Sequence, residues 1–290
     1  MVMHLLILYS EFTTATATSI NNPVVAKFKA SDGSHIWSAG IGGEETGIFN
    51  SVDMPTDGSY AYCAGTTQIW TLTSGKNAGV LIKISGSGTL QWVRKYSVVS
   101  TDIEFNKVVV LGDHSSIWTF GNSAGTTGIM VKWTTAGINS GTLSLTLMAD
   151  ITSAKLFVDQ STIIIGGQTS ASKMFVGAFK LSDTTLVLDK YFDVTTSSIS
   201  DISVNSYGQV GIVGSSGTAG AIINFDPDFN DKCTALTITD FTGALTSDST
   251  DISSEETGQT LESIFPTIKS STITSSTSTT TINAQTCGEV

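Results

Sequence analysis

Apolar residues in this chain come in short runs separated by turn-forming residues, and the runs recur as two alternating phrases. The first phrase holds a lysine at its centre and then turns into a second run. Val25-Ala26-Lys27-Phe28 leads through Asp32-Gly33 to Ile36-Trp37, and Leu81-Ile82-Lys83-Ile84 leads through Gly86-Ser87-Gly88 to Leu90-Gln91-Trp92. Met130-Val131-Lys132-Trp133 follows through Ala136-Gly137 to Leu143, and Ala178-Phe179-Lys180-Leu181 through Ser182-Asp183 to Leu186-Val187-Leu188. A degenerate fifth copy, Ile222-Ile223-Asn224-Phe225, runs into Asp226-Pro227-Asp228. Runs this short, rich in β-branched and aromatic residues, predict strands, and no window keeps the 3.6-residue period of a long helix.

The second phrase falls between copies of the first and ends on glycine: Tyr60-Ala61-Tyr62-Cys63-Ala64-Gly65, Ile117-Trp118-Thr119-Phe120-Gly121, Thr162-Ile163-Ile164-Ile165-Gly166-Gly167 and Val210-Gly211-Ile212-Val213-Gly214. The glycines are expected where the chain turns sharply. Two phrases of two strands each make a four-stranded unit. The central positions 27, 83, 132, 180 and 224 lie 56, 49, 48 and 44 residues apart, a stride suited to the blades of a β-propeller.

The stretch Gly42-Gly43-Glu44-Glu45, Ser51-Val52-Asp53 and Asp57-Gly58-Ser59-Tyr60 through Gly65 resembles the bacterial-type β-propeller repeat. In that repeat an Asp-Gly strand ending in Gly alternates with an Ala-Lys-Leu-Asp-like strand ending in Trp. The resemblance spans roughly residues 5–232 and loosens after Gly137, where the Trp is lost and Asp-Gly becomes Ser206-Tyr207-Gly208. It implies an all-β fold of propeller-like four-stranded blades, about five in this chain, and a scaffold without set catalytic residues.

Leu5-Leu6-Ile7-Leu8-Tyr9 stands where a second phrase would stand, so a buried strand is expected there in preference to a signal peptide, which would carry a basic start. The repeats then open in mid-blade. Either the N-terminal half blade completes the last blade and closes the ring, or the chain is part of a larger one. The blade domain is expected over residues 1–241 and a tail over 242–290, acidic at first and then almost wholly Ser and Thr across 270–281. Thr272, Thr274, Ser275, Ser276, Thr277 and Thr279 are the O-glycosylation candidates of that tail. The segment 263–285 is expected to be ordered by donating a strand to the blade edge of a neighbouring copy, or else to fold back on its own blades.

Composition narrows the function classes. With 25 acidic against 14 basic residues and Arg94 the sole arginine, the chain lacks the clustered basic side chains that phosphate backbones require, so nucleic acid is excluded as a partner. No apolar stretch reaches the ~18 residues of a membrane span. Cys63, Cys233 and Cys287 are too scattered for a zinc knuckle; Cys63 reads as a buried free thiol and Cys233–Cys287 as a candidate bridge.

Candidate chemistry is sparse. Gly121-Asn122-Ser123-Ala124-Gly125 matches the nucleophile-elbow pattern but recurs as an ordinary turn, with His35 and His114 the only histidines inside the repeats. Asp226, Asp228 and Asn230 place oxygens at alternate positions, as calcium loops do, yet lack the central glycine, and Thr237 stands where a closing Glu is needed. Glu44-Glu45 and Glu255-Glu256 read as solvated turn residues. Trp37 and Trp92 are expected between blades, while Trp70, Trp118 and Trp133 either enter the core or line a sugar-stacking groove. No catalytic residue and no cofactor is assigned. The expected role is an extracellular or cell-surface structural scaffold that assembles with itself, with an adhesion or glycan-binding module as the alternative and an enzyme disfavoured.

Overall fold

The computed structural model describes residues 5–6, 23–29, 31–32, 34–41, 47–68, 75–145, 148–182, 184–192, 197–216 and 219–225, and the short strands 238–240, 245–247, 253–255 and 261–262. The described elements are all β-strands, gathered in five antiparallel sheets. Blade 1 contains β1 (Leu5–Leu6), β2 (Val24–Phe28) and β3 (His35–Ile41). Blade 2 contains β4 (Gly47–Asp53), β5 (Tyr60–Thr67), β6 (Ala78–Ser85) and β7 (Leu90–Tyr96). Blade 3 is built of β8 (Ile103–Val110), β9 (Ile117–Ser123), β10 (Thr127–Trp133) and β11 (Asn139–Leu145). Blade 4 is built of β12 (Met148–Leu156), β13 (Thr162–Thr169), β14 (Met174–Lys180) and β15 (Thr185–Phe192). Blade 5 contains β16 (Ser197–Val204), β17 (Val210–Ser216) and β18 (Ala219–Phe225).

The first strands β4, β8, β12 and β16 pack against one another in sequence, so they are the inner strands, and β7, β11 and β15 stand at the outer edge. The stack curves. Sheets packed flat stand ~10 Å apart, which would separate blades 3 and 5 by twice that, yet Lys107 on β8 reaches Asp201 on β16 at 3.0 Å. The inner strands therefore converge on an axis, as propeller blades do.

Among the described residues the apolar core forms four slabs, one at each junction between successive blades. Val25 and Trp37 meet Phe49, Ile82 and Val93 between blades 1 and 2, and Tyr62 and Leu81 meet Phe105, Val131 and Trp133 between blades 2 and 3. Trp118 and Phe120 meet Ile151, Phe175 and Phe179 at the next junction, and Ile164 and Val176 meet Ile199 and Ile212 at the last. Because both faces of a blade are covered, successive residues are buried on opposite sides: Tyr62 faces blade 3 and Cys63 faces blade 1. This is why the second phrase reads as a continuous apolar run without polar alternation.

The N-terminal strand is present: β1 pairs with β2, in the place of a second strand of its blade. Among the described residues, the N-terminal strands form their own sheet, and β18 pairs with β17 alone; the half blades at the two ends are not joined into one.

Four further strands follow: β19 (Ile238–Asp240), β20 (Leu245–Ser247), β21 (Ser253–Glu255) and β22 (Leu261–Glu262). They add in turn to β15, β11, β7 and β3, so the C-terminal run travels backwards around the outer edge from blade 4 to blade 1. Their first residues, Ile238, Leu245, Ser253 and Leu261, lie opposite Phe192, Leu145, Tyr96 and Ile41, each the last residue of its outer strand. Each addition satisfies edge N–H and C=O groups that would otherwise be open to another chain. Three of these strands lie beyond residue 241 and still belong to the blade sheets.

Candidate functional site

Three sets of groups distinguish the blade junctions and edges from plain sheet packing. The first is a repeated bulge. Each inner strand, β4, β8, β12 and β16, slips register against its neighbour at one shared position, Phe49/Ser51, Phe105/Lys107, Ile151/Ser153 and Ile199/Asp201, and β12 slips a second time between Met148 and Asp150. A glycine lies against each bulge: a Cβ on Gly65, Gly121, Gly167 or Gly214 would fall 1.8, 1.8, 2.0 or 2.2 Å from a carbonyl oxygen of the inner strand. The expectation that these glycines mark sharp turns is corrected here. They sit within strands, and it is the close approach of two backbones that excludes a side chain.

The bulge turns a polar side chain toward the next blade. Asn50 Nδ2 donates to the Phe105 carbonyl at 2.9 Å, Asn106 Nδ2 to the Ile151 carbonyl at 3.1 Å, and Thr152 Oγ1 to the Ile199 carbonyl. One residue on, Ser51 Oγ accepts from Val108 N at 3.2 Å and Ser153 Oγ from Ile202 N at 3.0 Å. The carbonyl and amide groups freed by the bulge are thus satisfied across the junction instead of being left buried and unpaired.

The axis is polar. Asp53 accepts from Val110 N at 2.8 Å, and burial raises its carboxyl pKa against those hydrogen bonds and the nearby Lys155 and Lys107. Asp150 is also raised by burial, with the Glu104 charge acting in the same sense, although its Oδ1 accepts from Asn106 at 2.7 Å and Asn122 at 3.1 Å. Burial acts to raise Asp201 too, but hydrogen bonds from Ser153 at 2.8 Å and Lys107 outweigh it and hold that carboxyl low.

The second set explains the lysine of the first phrase. Lys27 Nζ donates to the Gly86 carbonyl at 2.8 Å, which also accepts from Trp37 Nε1 at 3.2 Å. Lys83 Nζ donates to the Thr135 carbonyl at 3.3 Å, while Arg94 donates from Nε to Gly137 O at 2.8 Å and from Nη2 to Ala136 O at 3.0 Å. The cation of one blade therefore caps the outer hairpin turn of the next, its apolar stem covering the junction. Lys132 lies over the Trp118 ring, 5.5 Å from its centre.

The third set is the outer edge itself, where the C-terminal run shows that strands two or three residues long are accepted on four blades at one register.

The sequence-derived candidates are placed as follows. Trp118 and Trp133 are fully buried, and Trp133 Nε1 donates to Thr119 Oγ1 at 3.0 Å, so neither offers a face to a sugar. Trp37 and Trp92 are half-buried against the blade 1–2 and 2–3 junctions. Ser123 ends β9, and the Ala124-Gly125 pair that follows has φ of 56° and 63°, part of a tight hairpin turn leading into β10 instead of the helix that a nucleophile elbow needs. His35 opens β3, and His114 lies in the β8–β9 turn, 3.7 Å from Asp57. The Asp-Gly turn persists where its sequence decays: Gly58, His114, Gln160 and Gly208 all take positive φ and donate their N–H back three residues. Cys63 is a buried free thiol whose pKa burial pushes up. Asp226, Asp228, Asn230, Cys233, Cys287, Trp70, Glu44, Glu45, Glu256 and the O-glycosylation candidates Thr272 to Thr279 lie outside the described residues, as does the strand-donating segment 263–285.

No family model and no curated protein matches the chain. Among solved structures, a chain of one described as the crystal structure of the mitotic checkpoint complex is similar at TM-score 0.36 and 11% identity, over 91% of this chain and 95% of that one. The fold rests on this chain's own strands, which form propeller-like blades. No described helix is long and apolar enough to cross a membrane.

Proposed function

We propose that this chain is an extracellular structural scaffold, a self-assembling subunit of a surface layer, sheath or fibril, related to the bacterial-type propeller repeats that its first blades resemble. One observation carries the reading: the C-terminal run adds short strands to the outer edges of four successive blades at one register. A run held by two or three residues per blade can be exchanged between copies at little cost, and exchange of an identical element links identical subunits. The junction chemistry suits a load-bearing body, because polar side chains and cations satisfy backbone groups across blades. Low charge and the Ser/Thr-rich end fit the cell exterior, where hydroxyls at 272–279 carry glycans.

The test is the mass of the purified chain by light scattering across a concentration series, with electron microscopy, for the full chain and for one ending at Thr237, before the first strand of the run. The full chain is expected to form larger particles as concentration rises, and the shortened chain to stay monomeric. Assemblies that persist unchanged without the run would overturn the proposal.

A further inference from the structure

One cross-strand row recurs from blade to blade. Over the second, third and outer strands, blade 2 sets Tyr62, Lys83 and Trp92 opposite one another, and blade 3 sets Trp118, Lys132 and Gly141 there. Directly opposed residues share a face of the sheet, and Tyr62 and Trp118 show that this face meets the next blade. Blade 1 likewise places Trp37 opposite Lys27. Blade 3 therefore carries glycine where two other blades carry an indole ring.

The surroundings of Gly141 match a missing ring. A Cβ built there meets nothing within 4 Å. Lys83 lies 3.8 Å from the centre of the Tyr60 ring and donates to a turn carbonyl of the next blade, as Lys27 does. Lys132 has the Trp118 ring on one side, and among the described residues its Nζ finds no acceptor. The Trp118 N–H is buried without one as well. The outer hairpin turns agree, because Gly88, Gly137 and Thr184 hold the same left-handed position. Trp37 covers Gly88 and Arg94 covers Gly137, so closely that a Cβ would fall 2.9 and 2.7 Å away. Thr184, on the turn that follows the row ending in Gly141, keeps an exposed side chain.

A second departure lies in blade 5. Asp57, Asp113 and Asp159 precede the left-handed residue of their turns, and Tyr207 stands in that place before Gly208. Of the large apolar side chains exposed among the described residues, Tyr207 alone is aromatic, and it is 82% exposed. Its turn is firmly held: Tyr207 N and Gln209 N both donate to Asn205 Oδ1 at 3.0 Å, and Gly208 N to Asn205 O at 3.1 Å.

We propose that Tyr207 of one copy enters the notch at Gly141 of a second copy. A phenol supplies both things the notch lacks, a ring face for the Lys132 ammonium and an oxygen that accepts a hydrogen bond from it. Gly141 lies on the outer strand of blade 3 and Tyr207 on the β16–β17 turn of blade 5, so the two meet between copies and the contact repeats head to tail. The proposal rests on the self-assembly reading, because one ring covers too little surface to hold free copies together and acts on copies that an exchanged run already links.

The test is the concentration of half-assembly, read by light scattering, for the full chain, Tyr207→Ser, Gly141→Trp and the double variant. Each single substitution is expected to raise it about tenfold. The double variant should raise it no further, because both changes break one contact. Tyr207→Phe keeps the ring without the acceptor and should fall between, while Ile222→Ser, exposed elsewhere on blade 5, should match the unsubstituted chain. Single variants that assemble like the unsubstituted chain, or losses that add in the double variant, would overturn this contact and leave run exchange standing. An unsubstituted chain that stays monomeric at every concentration would overturn both. Should Gly141→Trp fold poorly, Lys132→Met removes the ammonium in its place and is expected to act in the same direction.

Discussion

Lys107 and Asp201 face each other at 3.0 Å across the axis, from inner strands two blades apart, and Asp201 also accepts from Ser153 of the blade between them. The pair is partly open to solvent, so its net worth is on the order of 1 kcal/mol or less. Its hydrogen bonds hold the Asp201 carboxyl below its ordinary value in spite of burial.

Removing that ion pair should therefore act with a definite sign. A lowered carboxyl contributes stability that is present above its unfolded pKa and lost as pH falls through the folded one. Lys107→Met is expected to lower the melting temperature slightly near neutrality, with the difference from the unsubstituted chain shrinking as pH drops below 3.8, the ordinary Asp value. Melting curves across pH check this; a difference that grows on acidification would contradict it.

Asp150 should show the opposite sign. Its raised carboxyl binds a proton more readily in the folded chain, so the unsubstituted protein gains stability as pH falls from that raised pKa toward 3.8. Asp150→Asn can still accept from Asn106 and Asn122 on one oxygen and removes the repulsion from Glu104. The variant is expected to be the more stable near neutrality and to lose that advantage in acid, as denaturant titrations at the two pH values would register.

The bulge glycines should tolerate nothing larger. Gly121→Ala places a methyl 1.8 Å from the Glu104 carbonyl, and the backbone must separate to admit it, at a cost of ~3 kcal/mol or more. Gly141→Ala, in a strand with open space around the added atom, should be neutral within about 0.5 kcal/mol. Equal stability of the two variants in urea unfolding would remove the close-approach explanation.

Gln160 adopts φ of 55° in the β12–β13 turn, where Gly58 stands in the equivalent turn of blade 2. Gln160→Gly is expected to stabilise the fold by about 0.5–1 kcal/mol, because relief of the left-handed conformation exceeds the added backbone entropy. A lowered melting temperature would show that the Gln160 side chain, whose Nε2 donates to the Phe157 carbonyl at 3.4 Å, matters more than the strain.

The sequence by itself determined the strands of the blades and their grouping into about five sheets, because burial on both faces writes itself locally as apolar runs and each turn needs its own small or polar residues. Blades 2 to 5 follow the stride of Lys83, Lys132, Lys180 and Asn224, and the lysine was visible as a repeat before its role was. Only the tertiary structure decided what those residues meet. Gly65 and Gly121 read as turn residues because the Ile48 and Glu104 carbonyls that exclude a side chain there lie 17 residues away along the chain. Trp118 could have faced a groove until Phe179, 61 residues on, was placed 5.2 Å from its ring. Least legible was the C-terminal run: strands of two or three residues carry too few apolar positions to announce a partner, and their hold comes from backbone groups on β15, β11, β7 and β3, which any sequence can supply.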